Sequence, residues 1–285
     1  EDIAIFFNGR GEAAQGPLPP GIFGFREGAQ GINPYVYKWD GKAPIRRPID
    51  DAKALMKKAG YPNGRDPATG HALILHYDVH VTGGPDDKSQ LNWMQKQFAR
   101  IGIALDVRAT HYNRFQEKIR SGNAQIFSWS WSADYPDPEN FLFLLYGGNG
   151  MVLHGGENSS NYSNPAYDKL FNLMKKRPND AERQALLDEM VAMLRHDAPW
   201  VWGIHNESLT LNQKWLAPVK TSTMSINTLK YVAVDVSQRN TLRNAWNQPI
   251  LWPIVVFILL MALLLLPFVQ AYHKNQQRSA PRMPL

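Results

Sequence analysis

From Ile250 to Val269 the sequence reads ILWPIVVFILLMALLLLPFV, twenty residues without a charge. A helix rises about 1.5 Å per residue, so this run covers about 30 Å, the hydrocarbon thickness of a bilayer. Soluble core helices keep a polar face over several turns, and here there is none. The expectation is a single transmembrane helix over 250–271 followed by a basic tail over 272–285. Trp246 and Trp252 suit the outer interface, and Tyr272, His273 and Lys274 the inner one. Pro253 sits near the helix start, where it costs little. Pro267 falls in the last turns, where it frees a carbonyl and invites a kink.

The rest of the 285 residues has the composition of a folded protein, with 44% hydrophobic and 20% charged residues. That excludes a disordered tail, a fibre and a multi-span transporter. Half of the net charge of +6 belongs to Lys274, Arg278 and Arg282, which follow the apolar run with no Asp or Glu among them. The small remaining surplus, without a basic run interleaved with aromatics, gives no support to nucleic-acid binding. The absence of cysteine removes disulfides, thiolate zinc sites, iron-sulfur clusters and cysteine nucleophiles together. No nucleophile elbow, phosphate loop or paired acid constellation is legible, so nothing argues for an enzyme or for a cofactor. The chain opens EDIAIFF, with neither an initiator Met nor a signal peptide, and is expected to be processed or part of something longer.

Residues 1–49 are rich in Gly and Pro, from Gly9 and Gly11 through Pro17, Pro19, Pro20 and Gly21 to Pro44 and Pro48, and read as a loop-rich opening segment. Asp50 or Asp51 is placed to cap a helix carrying Ala52, Leu55, Met56 and Ala59, stopped by Gly60 and Pro62. Strand-like and helix-like patterns then alternate. Ala72 to Val79 is a strand, and Leu91, Met94, Phe98 and Ile101 have helical spacing. Ile103 to Val107 is a second strand, Phe115 and Ile119 lie on a second helix, and Ala124 to Trp131 is a third strand. This order predicts parallel strands with crossover helices, an α/β lobe over 50–210. Within it, Asn164-Pro165 starts a helix with Tyr167, Leu170, Phe171 and Met174. Asn179 or Asp180 caps another with Leu186, Leu187, Met190, Val191 and Leu194. Trp200 to Leu211 reads as a strand or hairpin, Thr228 to Val236 as a further strand, and 211–249 as a return segment and linker.

The most unusual window is Phe127 to Phe141, FSWSWSADYPDPENF. Trp129 and Trp131 share one face if the segment is a strand, and the turn that follows projects Asp134 beside them. An aromatic wall with one carboxylate suits an organic cation or a peptide ammonium, through cation–π attraction and a charge-assisted hydrogen bond. The same pattern fits two core tryptophans and an Asp134 that caps the helix starting near Pro138. His76 and His80 lie on one strand face and are placed to approach a metal, but no third ligand is legible.

WSADYPDPENF at Trp131 to Phe141, NYSNPAYDKL at Asn161 to Leu170 and DAPWVW at Asp197 to Trp202 resemble the family 5 solute-binding proteins of bacterial ABC importers, the oligopeptide and dipeptide binders. FFNGRGEAAQGPLPPGIFGF at Phe6 to Phe25, DDAKALMKKAGYPNG at Asp50 to Gly64 and ARIGIALDV ending at Val107 resemble the same family in the same order. The resemblance covers about residues 1 to 235. It implies an α/β, periplasmic binding protein-like fold of class II, of which this chain is the second lobe. It also implies a ligand held between two lobes, with an Asp at the position of Asp134 pairing with the ligand's α-ammonium; Trp129 and Trp131, beside it by spacing, and Tyr135, next to it in the chain, complete the expected ligand-binding residues. The family is considerably longer, so an N-terminal lobe is expected from the same precursor or from a separate chain. The terminal span departs from the family's usual form. The resemblance therefore points to a membrane-anchored binder of peptides or similar amine-bearing solutes, serving an ABC permease from the periplasmic face of the bacterial cytoplasmic membrane. The other reading it leaves open is a binding-protein lobe repurposed as an accessory subunit of another membrane complex.

Overall fold

The computed structural model describes residues 2–81, 83–207, 209–217 and 231–279. Among these, one unit runs from residue 2 to Thr210 and a second begins at Leu211.

The first unit opens with α1 (Asp2–Phe6), β1 (Gly11–Ala13), the single turn α2 (Gly28–Gly31) and an antiparallel hairpin of β2 (Tyr37–Trp39) and β3 (Pro44–Arg46). Asp40 closes that hairpin by accepting from Lys42 N and Ala43 N at 2.7 and 2.8 Å. The following Gly41, at φ +104°, takes a conformation that side chains resist. Regular structure is thus present between the Gly- and Pro-rich stretches of residues 1–49. The expected helix is α3 (Ile49–Lys58), but Pro48 occupies its N-cap position. Asp50 and Asp51 lie in the first turn, where they act on the helix dipole and not as caps.

Next come β4 (Ile74–His80), α4 (Pro85–Ala99), β5 (Ala104–Thr110), α5 (Tyr112–Arg120) and β6 (Ile126–Phe127), the alternation read from the sequence. The three strands form one parallel sheet in the order β5-β4-β6. The chain therefore winds to one side of β4 and then to the other, which puts a topological switch point at the carboxyl ends of β4 and β6. The third strand is shorter than the expected Ala124–Trp131. Its ladder holds only at Tyr77↔Ile126 and Asp78↔Phe127. Beyond Phe127 the in-out alternation persists, with Trp129 and Trp131 half-buried and Ser128 and Ser130 exposed, but the rings are drawn to other packing partners and the backbone leaves the sheet.

From Glu139 to Asp197 the unit is helical, and two of its helices are those expected after Asn164 and Asp180. The elements are α6 (Glu139–Leu142), α7 (Met151–His154), α8 (Pro165–Met174) and α9 (Ala181–Asp197). Asn164 caps α8 by accepting from Ala166 N and Tyr167 N, and Asp180 caps α9 by accepting from Arg183 N. Tyr167, Phe171 and Met174 on one helix and Leu187, Met190 and Leu194 on the other are buried with Leu18, Leu142 and Leu145 in the main core. A smaller cluster joins Phe115, Ile119 and Met151. Trp200 and Trp202 meet edge to face with centroids 5.6 Å apart and pack on the main core. The strand expected over Trp200–Leu211 is thereby reduced to β7 (Ile204–Asn206), antiparallel to β1.

In the second unit Leu216 bridges Val234, and Asp235 caps α10 (Val236–Trp246) by accepting from Gln238 N at 2.9 Å. Of the strand expected over Thr228–Val236, residues 228–230 lie outside the described residues, and Val236 begins a helix instead. The last element is α11 (Trp252–Ser279), of 28 residues or about 42 Å. It contains Pro267 and continues eight residues beyond the expected 250–271. Its stretch from Trp252 to Gln276 is long and apolar enough to cross a membrane, and the most apolar 18-residue window has a mean hydropathy of 2.8 with none of it buried by protein.

Candidate functional site

The segment leaving β6 carries the candidate residues past the carboxyl end of the sheet. Its fixed point is Asn140, in the first turn of α6 and only 2% exposed. A buried amide must find partners, and this one finds three. Asn140 Oδ1 accepts from Trp131 Nε1 at 3.1 Å and from Asp134 N at 2.9 Å, while Nδ2 donates to Asp134 Oδ2 at 3.4 Å. Asp134 itself is exposed. Its backbone and one carboxylate oxygen are thus tied to the interior while the side chain remains open to solvent. Trp131 packs edge to face on Phe143, centroids 5.4 Å apart. The structure therefore brings Trp131 and Asp134 together, through a residue to which the sequence reading assigned no role.

Trp129 goes elsewhere. Its ring stacks on Phe115 at 5.7 Å and belongs to the smaller core cluster. Tyr135 is exposed, and its hydroxyl donates to Glu139 one helical turn on. Burial first, and then the Glu139 hydrogen bond, raise the Tyr135 phenol above its ordinary range. Asp134 does not cap the helix that follows: Pro138 holds the N-cap position of α6, and it is Asp137 Oδ1 that accepts from Glu139 N at 2.9 Å.

Asp137 also forms the strongest ion pair in this region. Arg183, on α9, donates from both terminal nitrogens to its two oxygens at 2.8 and 2.7 Å, and the Arg183 side chain is 5% exposed. Arg183 Nε donates to the Met174 carbonyl at 3.1 Å, so one guanidinium ties the site loop to the end of α8. Burial works against an ionised Asp137, but the hydrogen bonds from Arg183 and Glu139 N outweigh it and hold the carboxyl below its ordinary range. Behind the loop, Tyr167 donates its buried hydroxyl to the Leu142 carbonyl at 2.8 Å and fixes α6 against α8. Arg183 and Tyr167 thus tie the loop and α6 to the helices α8 and α9.

His76 Nδ1 is engaged with Asp106 Oδ2 at 2.8 Å, and His80 packs against the rings of Tyr112 and Phe115. Among the described residues no group of three or more His, Asp or Glu side chains could hold a metal ion.

Asn140 was findable in principle. An Asn followed by Phe141 and Leu142 in a segment that must bury its apolar residues has an amide needing internal partners, and the preceding turn offers several, Trp131 and Asp134 among them.

A family model for bacterial extracellular solute-binding proteins, family 5 middle, matches residues 3–152. Among curated relatives, the chain is 25% identical over 204 residues to heme-binding protein A of Haemophilus influenzae, covering 72% of this chain and 34% of that protein. It is 25% identical over 233 residues to di/tripeptide-binding protein 2 of Pseudomonas aeruginosa, covering 82% of this chain and 40% of that protein. Among solved structures, it is similar to the ABC transporter-associated periplasmic binding protein DppA from Helicobacter pylori in complex with the peptide STSA. There the TM-score is 0.64 with 24% identity, over 82% of this chain and 41% of that one. The chain thus spans well under half the length of these relatives.

Proposed function

The chain belongs to family 5 of the bacterial extracellular solute-binding proteins, and from that premise we propose that it is the membrane-anchored part of a binder that captures peptides or similar amine-bearing solutes for an ABC importer. The observation that carries this reading is the exposed Asp134, oriented by the buried Asn140 beside the half-buried Trp131 at the end of a parallel sheet. A fixed carboxylate next to an indole suits an ammonium group, and an anchored end sets the direction in which a peptide lies. Trp131 and Asp134 form the core of the site and Tyr135 its rim. Trp129 supports the loop from behind through its stack on Phe115. The relatives are more than twice as long as the matched stretch, which supports a second lobe, from the same precursor or a separate chain, closing over the ligand.

The α11 helix supplies the anchor. Its exposed apolar surface on every side is what a lipid-facing segment requires. The family's extracellular character favours a periplasmic lobe, and Lys274, Arg278 and Arg282 beyond the span favour a cytoplasmic tail. Protease added to intact spheroplasts is expected to remove the lobe and spare an epitope on Leu285. Loss of the epitope with the lobe retained reverses the orientation.

Asp134→Asn tests the site. It keeps the shape and removes the charge, so in the complete two-lobed protein it is expected to weaken a peptide with a free amino terminus by roughly two decades or more, about 1.4 kcal/mol for each. An N-acetylated peptide is expected to lose far less. Calorimetry on both peptides decides, and equal weakening makes Asp134 a turn residue. If neither peptide binds the wild-type protein, the accessory-subunit reading takes over. The observation in its favour is the permanent apolar helix α11.

A further inference from the structure

The helix α10 lies just before α11, and its sequence is amphipathic in an uncommon way. At about 100° per residue, Val236, Arg239, Leu242, Arg243 and Trp246 fall in one sector about 120° wide, while Ser237, Asn240, Thr241 and Asn244 fall opposite. The two cations share the apolar side. They are also the only Lys, Arg, Asp or Glu residues between Asp235 and Lys274. Leu242 at one edge of the sector and Arg239 in its middle are half-buried, but Val236 and Trp246 are each 59% exposed, and Arg243 is exposed between them. Trp215 packs against Trp246 at 5.4 Å and extends the aromatic end of this face.

A solvent-facing helix would place its arginines opposite its apolar residues. Placing them together suits a boundary where the rings and Val236 enter an apolar phase and the guanidinium groups reach up to anions at its edge. Chain continuity identifies the boundary. Only Asn247 to Leu251 separate α10 from α11, and five residues reach at most about 17 Å. We propose that α10 lies flat on the outer membrane surface, with Val236 and Trp246 in the interface and Arg239 and Arg243 on the phosphates of anionic phospholipids. This inference rests on α11 spanning the membrane.

The natural absence of cysteine makes the test direct. Single Val236→Cys, Thr241→Cys and Leu259→Cys variants of the full chain carry an environment-sensitive fluorophore in phosphatidylcholine vesicles with and without phosphatidylglycerol. Quenching is read with a headgroup-level spin-labelled lipid, a bilayer-centre one and aqueous acrylamide. The label at 259 should respond to the central quencher, that at 236 to the headgroup quencher, and that at 241 to acrylamide. Phosphatidylglycerol should raise headgroup quenching at 236. Arg239→Gln and Arg243→Gln should reverse that gain, shifting the ratio of lipid-quenched to acrylamide-quenched label by roughly fivefold for each arginine. Equal acrylamide quenching at 236 and 241, with 259 in lipid, overturns the proposal and leaves the span intact. A gain that ignores phosphatidylglycerol or survives both substitutions overturns the anionic-lipid assignment. Acrylamide access at 259 overturns the span itself, and the surface helix with it.

Discussion

The helices α8 and α9 and the helix α11 are all rich in leucine, methionine and aromatic residues, yet they solve the burial problem in opposite ways. In the first pair, apolar residues are confined to a stripe, so Tyr167, Phe171 and Met174 can close on Leu187, Met190 and Leu194 until each is essentially inaccessible. The other faces carry Lys169, Glu182 and Glu189 into water. In α11 apolar residues run all round, and from Ile254 to Val269 the large side chains remain largely exposed, as Phe257, Leu264 and Phe268 show. A stripe can be covered by another stripe of the same chain, whereas a cylinder needs a solvent that is itself apolar. The difference is one of pattern and of content: α9 carries Glu182, Asp188, Glu189 and Arg195 along its length, whereas α11 has no charge from Trp252 to Val269.

The largest expected contrast comes from truncating one leucine in each region. Leu187→Ala removes a fully buried side chain and should cost the lobe roughly 3 to 5 kcal/mol, read as a lower midpoint in urea unfolding. Leu259→Ala should leave that midpoint unchanged. A comparable loss from both would mean that α11 is covered by protein and the contrast is false.

A smaller effect tests whether polar ties sharpen the buried region. Asp137→Asn leaves the Arg183 guanidinium buried without a counter-charge, and should cost about 2 to 3 kcal/mol of lobe stability in the same assay. Asp134, three residues earlier and exposed, should tolerate the same exchange with little change in stability. Equal losses at both positions would make Asp134 part of the structural tie.

The smallest expected effect is on pH dependence. His205 is held below its ordinary range by burial, so its unfolded form takes up a proton first and stability declines as pH falls below about 6.5. Asp137 and Asp188 are also held low: burial opposes their ionisation, and the hydrogen bonds from Arg183 and Arg26 overcome it. Their contribution is complete above about 4 and is lost as pH drops through their lowered values. Tyr162, pushed up to about 12 by burial and by its hydrogen bond to Asp197, contributes fully below about 10 and loses that contribution as pH rises toward its folded value. From Trp252 to Ala271, α11 has no titratable side chain, so its partition into lipid should be flat across the same range. A lobe midpoint that does not respond to pH would sink these assignments.

Much of this molecule is written in local pattern. The uncharged run at 250–269, the capped helices at Asn164 and Asp180, the alternation from β4 to β6 and the window around Asp134 depend on periodicity, cap chemistry and turn residues that act over a few positions. They were legible for that reason. The α10 helix was missed because Asp235, its cap, sits inside a β-branched stretch that reads as a strand, and only the cap bond to Gln238 decides the matter.

What tertiary structure alone decided is who meets whom. The spacing of Trp129 and Trp131 put them on one face, but Phe115 took the first ring and Phe143 the second, ending the strand at Phe127. The sequence marked Asp134 and Asp137 as two similar carboxylates. Arg183, 46 residues beyond Asp137, claimed one of them, and Asn140 oriented the other toward solvent. Such assignments depend on side chains brought close by packing of distant elements, and no local period carries that information. The apolar cylinder of α11 is the opposite case: with no polar face to orient, it was determined by composition alone.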